Sequence, residues 1–302
     1  MNIKNNMSED IAKKIIGKKE NAELFLLKLR ENKDNINLKT KLITRGKNKG
    51  KEVLDYSTSE LWEKIVIEWD YNIALKIIRE IFKTSKKYKN GKEADKAMQI
   101  LITEWEKLKL GRIEWPFSQG AFDEFVQRIN SENSNGIVKD EKVKTAAVKY
   151  RRIKEINTVR NDFIETLIFE KNENILPTLN HRRGVDFFIN GQSFDQKVAK
   201  SPTNEFKRKF KENWREKAIK NPEIVAEYLY KYQDEGRFGA DSRLLIVYLD
   251  EDVTVDRIKA IIEDFDLDNP IEITFSYKHK TQGIKTYKVS CYIILLYNEE
   301  DK

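Results

Sequence analysis

The chain has 302 residues, 39% hydrophobic and 35% charged, with a formal net charge of +7. Its apolar content, including 5 Trp, 12 Tyr and 15 Phe, excludes global disorder, and the positive balance favours a polyanionic partner. A single cysteine, Cys291, excludes a disulfide framework and a Cys-based zinc centre, and two histidines, His181 and His279, exclude a His-rich one.

Any metal must therefore take oxygen ligands, which points to Mg²⁺, Mn²⁺ or Ca²⁺. The opening Met1-Asn2-Ile3-Lys4-Asn5 lacks the apolar stretch of a signal peptide. The longest apolar runs, Leu244 to Leu249 and Tyr292 to Tyr297, are too short to span a bilayer. The expectation is a soluble, cytoplasmic protein without a membrane partner.

The first half reads as mostly helical. Ser8-Glu9-Asp10 marks a helix start, and the pattern runs through Ile11, Ile15 and Leu24 to Leu29, with Gly17 a weak point. Thr44 to Lys51 is a basic, polar loop. Ser57 to Ser59 can cap a helix bearing Leu61, Trp62, Ile65, Val66 and Trp69. Further helices are predicted over 72–83, 92–109 and 119–130, and Ser131 to Gly136 is the candidate linker. The reading thus divides the chain into a helical region, 1–139, with a possible role in DNA recognition or dimerisation, and a second region, 140–302.

In that second region a helix from Asp140 to Glu170 precedes two short strands and two helices. The run Leu244 to Leu249 suits a strand buried on both faces. A helix near 254–265 and strands near 271–279 and 285–297 complete the series. Helices alternating with a few strands indicate an α/β fold around a mixed sheet.

The most informative segment is Gly184 to Val198. Asn190-Gly191 between two β-rich runs signals a two-residue hairpin, because a type I′ turn needs positive φ at both positions. That turn pairs Ile189 with Gln192, Phe188 with Ser193, Phe187 with Phe194 and Asp186 with Asp195. Lys197, two residues beyond Asp195, points to the same side. Val185, Phe187, Ile189, Phe194 and Val198 form a core face behind. Two carboxylates opposed across a ladder repel, which a divalent cation between them would resolve. An ion pair of Lys197 with the aspartates is the alternative.

Asp186 followed nine residues on by Asp195-Gln196-Lys197 resembles the PD-(D/E)XK motif of restriction-endonuclease-like nucleases, with Val185 in place of the usual proline. The resemblance covers roughly residues 150–250. It implies a restriction-endonuclease-like core, a mixed sheet flanked by helices, and a preceding helix that supplies a glutamate to the metal site. Asn161 to Leu167 is similar to that helix and nominates Glu165. On a helical wheel Glu165 sits just past the apolar arc of Ile156, Phe163, Leu167 and Ile168, so Glu170 is the fallback.

The function implied is a Mg²⁺-dependent endodeoxyribonuclease, with Mn²⁺ able to substitute, that cuts double-stranded DNA as a homodimer in the manner of a type II restriction enzyme. An anti-phage or DNA-repair nuclease of the same kind, or a non-cleaving DNA-binding protein, remains open.

The surroundings are basic. Arg182 and Arg183 lead into the first strand as candidate phosphate contacts. Beyond the hairpin, Lys200 and Thr203 precede one predicted helix, 204–220. In it Phe206, Phe210, Trp214 and Ala218 face the core, while Lys207, Lys211 and Arg215 form a neighbouring stripe suited to tracking phosphates.

Overall fold

The computed structural model describes residues 3–33, 36–108, 119–180, 184–232, 241–250, 252–279 and 283–299. The helical first half holds α1 (Glu9–Ile16), α2 (Lys19–Asn32), a small ladder of β1 (Thr40–Leu42) with β2 (Glu52–Leu54), α3 (Thr58–Ile67), α4 (Tyr71–Lys83), α5 (Lys92–Leu108) and α6 (Gln119–Ser131). Local chemistry sets several boundaries. The Ser8 side chain accepts from the Ile11 N–H at the start of α1, and Gly17 ends that helix at φ 81°. Ser57 and Glu60 form a reciprocal capping box on α3. The short β1–β2 ladder frames the basic loop and has no apolar alternation that the sequence would betray.

The long helix α7 (Gly136–Lys171) leads into β3 (Ile175–Pro177), β4 (Phe187–Ile189) and β5 (Gln192–Ala199). Then come α8 (Asn204–Phe210), α9 (Trp214–Lys220), α10 (Pro222–Tyr232), β6 (Arg243–Tyr248), α11 (Val255–Asp264), β7 (Ile271–His279) and β8 (Gly283–Leu296). The six-stranded sheet has the order β3-β4-β5-β6-β8-β7. β3, β4 and β5 pair antiparallel, β5-β6 and β6-β8 are parallel, and β7 returns antiparallel to β8. The fold is therefore α/β, a mixed sheet flanked by helices.

β6 is buried throughout and divides its side chains between two cores. Leu244, Ile246 and Tyr248 join a core shared with α1–α4, α7 and α11. Leu245 and Val247, with Leu249 just past the strand, join another with α8, α9 and α10. The expected boundary at 139/140 falls inside α7, and the first core draws on residues from both sides of it, from Ile3 to Leu296.

The single helix predicted over 204–220 is two helices. Lys211 adopts φ 48°, and a 3-10 turn, Lys211–Asn213, separates α8 from α9. Phe206 and Ala218 remain buried, with Phe210 and Trp214 packed against the same core. The break removes the continuous face on which Lys207, Lys211 and Arg215 were expected to align.

Among the described residues no helix is long and apolar enough to cross a membrane.

Candidate metal centre

Asn190 and Gly191 have φ of 52° and 85°, the two positive values a type I′ turn requires. The expected register follows: Ile189 with Gln192, Phe188 with Ser193 and Phe187 with Phe194. Val185, Phe187, Ile189, Phe194 and Val198 all pack into the first core. Phe188, of the opposite parity, is buried in the same core, and at the turn the Ile3 N–H donates to the Gly191 carbonyl at 3.0 Å.

At Asp186 the ladder changes. Its N–H donates to the Phe194 carbonyl at 2.9 Å, so two residues of one strand face one of the other, as in a bulge. The Asp195 N–H meanwhile donates to the Ser242 carbonyl, on the side of β6. Asp186 and Asp195 are therefore offset and not directly opposed. The offset turns the Asp186 carboxylate toward β5, where Oδ2 accepts the Gln196 N–H at 2.8 Å.

Asp186 is half-buried, and burial pushes its pKa up. The Gln196 N–H and the Lys87 charge pull it down, Asp195 pushes it up, and Lys197 again pulls it down. Asp186, Asp195, Lys197 and Lys87 thus share one electrostatic neighbourhood. Lys197 pairs with Asp195 at 3.1 Å, and Lys197 is the accessible member at 40% side-chain exposure. The ion pair anticipated as an alternative is present, and its two members act on the half-buried Asp186 carboxylate.

Glu165 on α7 belongs to that cluster. It is 4% exposed, and burial raises its pKa to about 7, with Lys87 opposing and Asp186 and Asp162 reinforcing the rise. The helical wheel misplaces it because α7 is buried on more than one stripe: a segment between α4 and α5 covers a second side. Glu170, the fallback, is exposed and bonded to the Tyr88 hydroxyl and to Asn90 Nδ2. It is no part of the cluster.

Lys87 is the residue that sequence reasoning missed. It is 7% exposed, and its Nζ donates to Glu165 Oε1 at 2.5 Å. Its local setting, Thr84-Ser85-Lys86-Lys87-Tyr88-Lys89-Asn90, reads as a solvated basic loop and carries no signal of burial. Tertiary packing buries it: the Lys89 N–H donates to Thr166 Oγ1 at 2.9 Å, and Tyr88 packs edge-on against Phe82 and Phe169.

The basic surroundings divide. Arg182, Arg183 and His181 lie outside the described residues, as does Arg237. Thr203 is the N-cap of α8, its side chain accepting from the Phe206 N–H at 3.2 Å. Lys207 Nζ lies over the Trp214 ring at 4.6 Å, and Lys211 sits exposed at the joint. Arg215 is committed to structure: Nε and Nη2 grip both oxygens of Asp250 at 3.1 and 2.9 Å, and Nη2 also reaches the Asn298 carbonyl. Lys200 follows Ala199, which lies on the Lys197 face of β5 and packs against the second core, the one that α8 and α9 cover.

Among the described residues no three His, Cys, Asp or Glu side chains stand close enough together to hold a metal ion as placed. The donor set nonetheless has the chemistry of a hard-cation site. Glu165, Asp186 and Asp195 are all-oxygen donors, Gln196 Oε1 and Asn161 Oδ1 are buried acceptors lacking a donor, and the Lys87 ammonium already stands among the carboxylates as a cation. Such a surplus of acceptors fits a bound cation.

Comparison with protein-family models, with curated proteins and with solved structures finds no match to this chain.

Proposed function

We propose that the chain is a Mg²⁺-dependent endodeoxyribonuclease of the PD-(D/E)XK, restriction-endonuclease-like kind, acting on double-stranded DNA. The observation that carries this reading is the electrostatic coupling of Asp186, just before β4, to Glu165 of α7 and to Asp195 and Lys197 of β5, the last two an ion pair at 3.1 Å. The order of elements supports it too. A helix bearing the glutamate precedes three antiparallel strands and a parallel fourth, in keeping with the flanked mixed sheet that the resemblance implies.

Glu165, Asp186 and Asp195 would hold the metal, which when bound lowers the pKa of its water and polarises the scissile phosphate. Lys197 is the one charged group of the four that is well exposed, and Asp195 fixes its ammonium in place. It is thus positioned to donate to the attacking water or to a phosphate oxygen as negative charge develops. Phe187 and Phe194 behind the pair are fully buried, which anchors the hairpin against movement during the reaction. Lys207 and Lys211, in the α8–α9 layer over the core that Ala199 packs against, and Lys200 just after β5 offer positive charge to the DNA backbone. Cutting both strands at one place needs two such sites, so the working form is taken to be a homodimer with two-fold symmetry, as in a type II restriction enzyme.

The test is incubation of purified protein with phage DNA of known sequence, with Mg²⁺ and with chelator. Discrete fragments that require Mg²⁺ are expected, and Mn²⁺ should substitute. Asp195→Ala should lower the cleavage rate by about 10²–10³-fold while duplex binding persists. A Mg²⁺-dependent smear would instead favour an anti-phage or repair nuclease. Binding without cleavage under every metal condition would leave a DNA-binding protein and refute the enzyme reading.

A further inference from the structure

The Lys87–Glu165 pair is the least ordinary feature of the molecule. Two ionisable side chains, 7% and 4% exposed, come from segments 78 residues apart and meet at 2.5 Å. Burying such a pair is seldom the most stable use of the space, since hydrophobic side chains of similar volume usually do as well or better. Its location suggests a different role. The Lys87 ammonium also acts electrostatically on Asp186, a second carboxylate of the proposed site.

A divalent cation held by Glu165 and Asp186 would meet that ammonium at short range, where like charges repel strongly in a buried setting. Lys87 and the cation therefore compete for one carboxylate. We propose that Lys87 is a built-in competitor for the metal, holding the metal-free site closed through Glu165 and withdrawing when a divalent cation enters.

Lys87 can withdraw because its tether is a short connection, residues 84–91, and not a helix or sheet strand. Besides the Lys87–Glu165 pair, that connection is held to α7 by the Lys89 N–H to Thr166 Oγ1, by the Thr166 hydroxyl to the Lys87 carbonyl at 3.4 Å, and by the Tyr88 and Asn90 side chains to Glu170. Losing the Lys87 contact would loosen it while the aromatic packing of Tyr88 on Phe82 and Phe169 limits how far it moves. Metal loading would then be felt in the helical half of the chain, which the sequence alone assigns no part in the site.

This inference rests on the metal-dependent reading above. The experiment measures Mn²⁺ binding by calorimetry to DNA-free wild type, Lys87→Met and Glu165→Gln. Competition predicts that Lys87→Met binds Mn²⁺ at least about tenfold more tightly than wild type, because a like charge beside the cation has gone. Glu165→Gln should bind more weakly than either. A folded Lys87→Met protein that binds Mn²⁺ no more tightly than wild type overturns the proposal and leaves the metal reading intact. Absence of Mn²⁺ binding to every protein overturns both.

Should Lys87→Met fail to fold, hydrogen exchange on the wild type decides. Saturating Mg²⁺ is expected to speed exchange across residues 84–91, including the Lys89 amide, and unchanged or slower exchange there refutes the withdrawal.

Discussion

Glu165 and Lys87 illustrate what burial does to a charge at the scale of single residues. Desolvation lifts the Glu165 carboxyl from 4.5 to about 7, and the Lys87 ammonium offsets only part of that rise. The folded protein thus keeps a proton that the unfolded chain releases near 4.5, and stability must fall as pH rises from there to about 7. One such group contributes a slope of up to about 1.4 kcal/mol per pH unit in that window. Urea unfolding of the metal-free protein between pH 4.5 and 8 should show this decline, and Glu165→Gln should flatten it by about one proton. Equal slopes in the two proteins would show that Glu165 is not held this way. The sequence nominates Glu165 by resemblance alone, because a helical wheel knows one buried face and α7 has more. Lys87 has no sequence signal at all: a lysine in a polar connection looks the same whether water or a carboxylate awaits it.

Elements whose geometry depends on local chemistry are legible in the sequence. The Asn190-Gly191 turn demands positive φ at two successive positions, and both are found there. β6 likewise follows from its apolar run and β7 from the alternation of Ile271, Ile273, Phe275 and Tyr277 with polar residues. Two features escaped this reading. The bulge at Asp186 arises where β5 leaves β4 to pair with β6, a choice made by a strand about 50 residues away in sequence. The break between α8 and α9 occurs at Lys211, a good helix former held at φ 48°. A non-glycine residue in that region stores strain, so Lys211→Gly should stabilise the protein by about 1 kcal/mol, after the added freedom of the unfolded chain is counted. Thermal unfolding checks this, and a lower midpoint would argue against strain at the joint. The same geometry gives Arg215 its role, since restarting the helix at Trp214 lets its guanidinium grip Asp250 and the Asn298 carbonyl.

For the whole molecule, the helical half and the sheet share one core. Arg79 of α4 shows how closely they are joined. Its Nη1 donates to the carbonyls of Phe169, Asn172 and Ile175 at 3.1, 3.1 and 2.8 Å, closing the C-terminal end of α7 and the start of β3. Its guanidinium stacks 4.0 Å from the centre of the Phe169 ring. A fragment spanning 136–302 would lose these bonds, the Lys87 contact and the apolar cover that α1–α4 lay over β3 and β4. That fragment should fail to unfold cooperatively, whereas the full chain should show a single transition by circular dichroism. A fragment with its own sharp transition would mean that the halves fold independently.

The sequence by itself determined the class of fold, the hairpin with its register up to Phe187–Phe194, and the acid and lysine residues on it. Each of these depends on neighbours within a few positions, through turn dihedrals, alternation and caps. Only the tertiary structure decided that Glu165 is buried and paired with Lys87, that the two aspartates are offset, and that Arg215 serves the scaffold. Those outcomes depend on which distant segment covers a surface, and burial of a charge is a property of that cover and not of the residue.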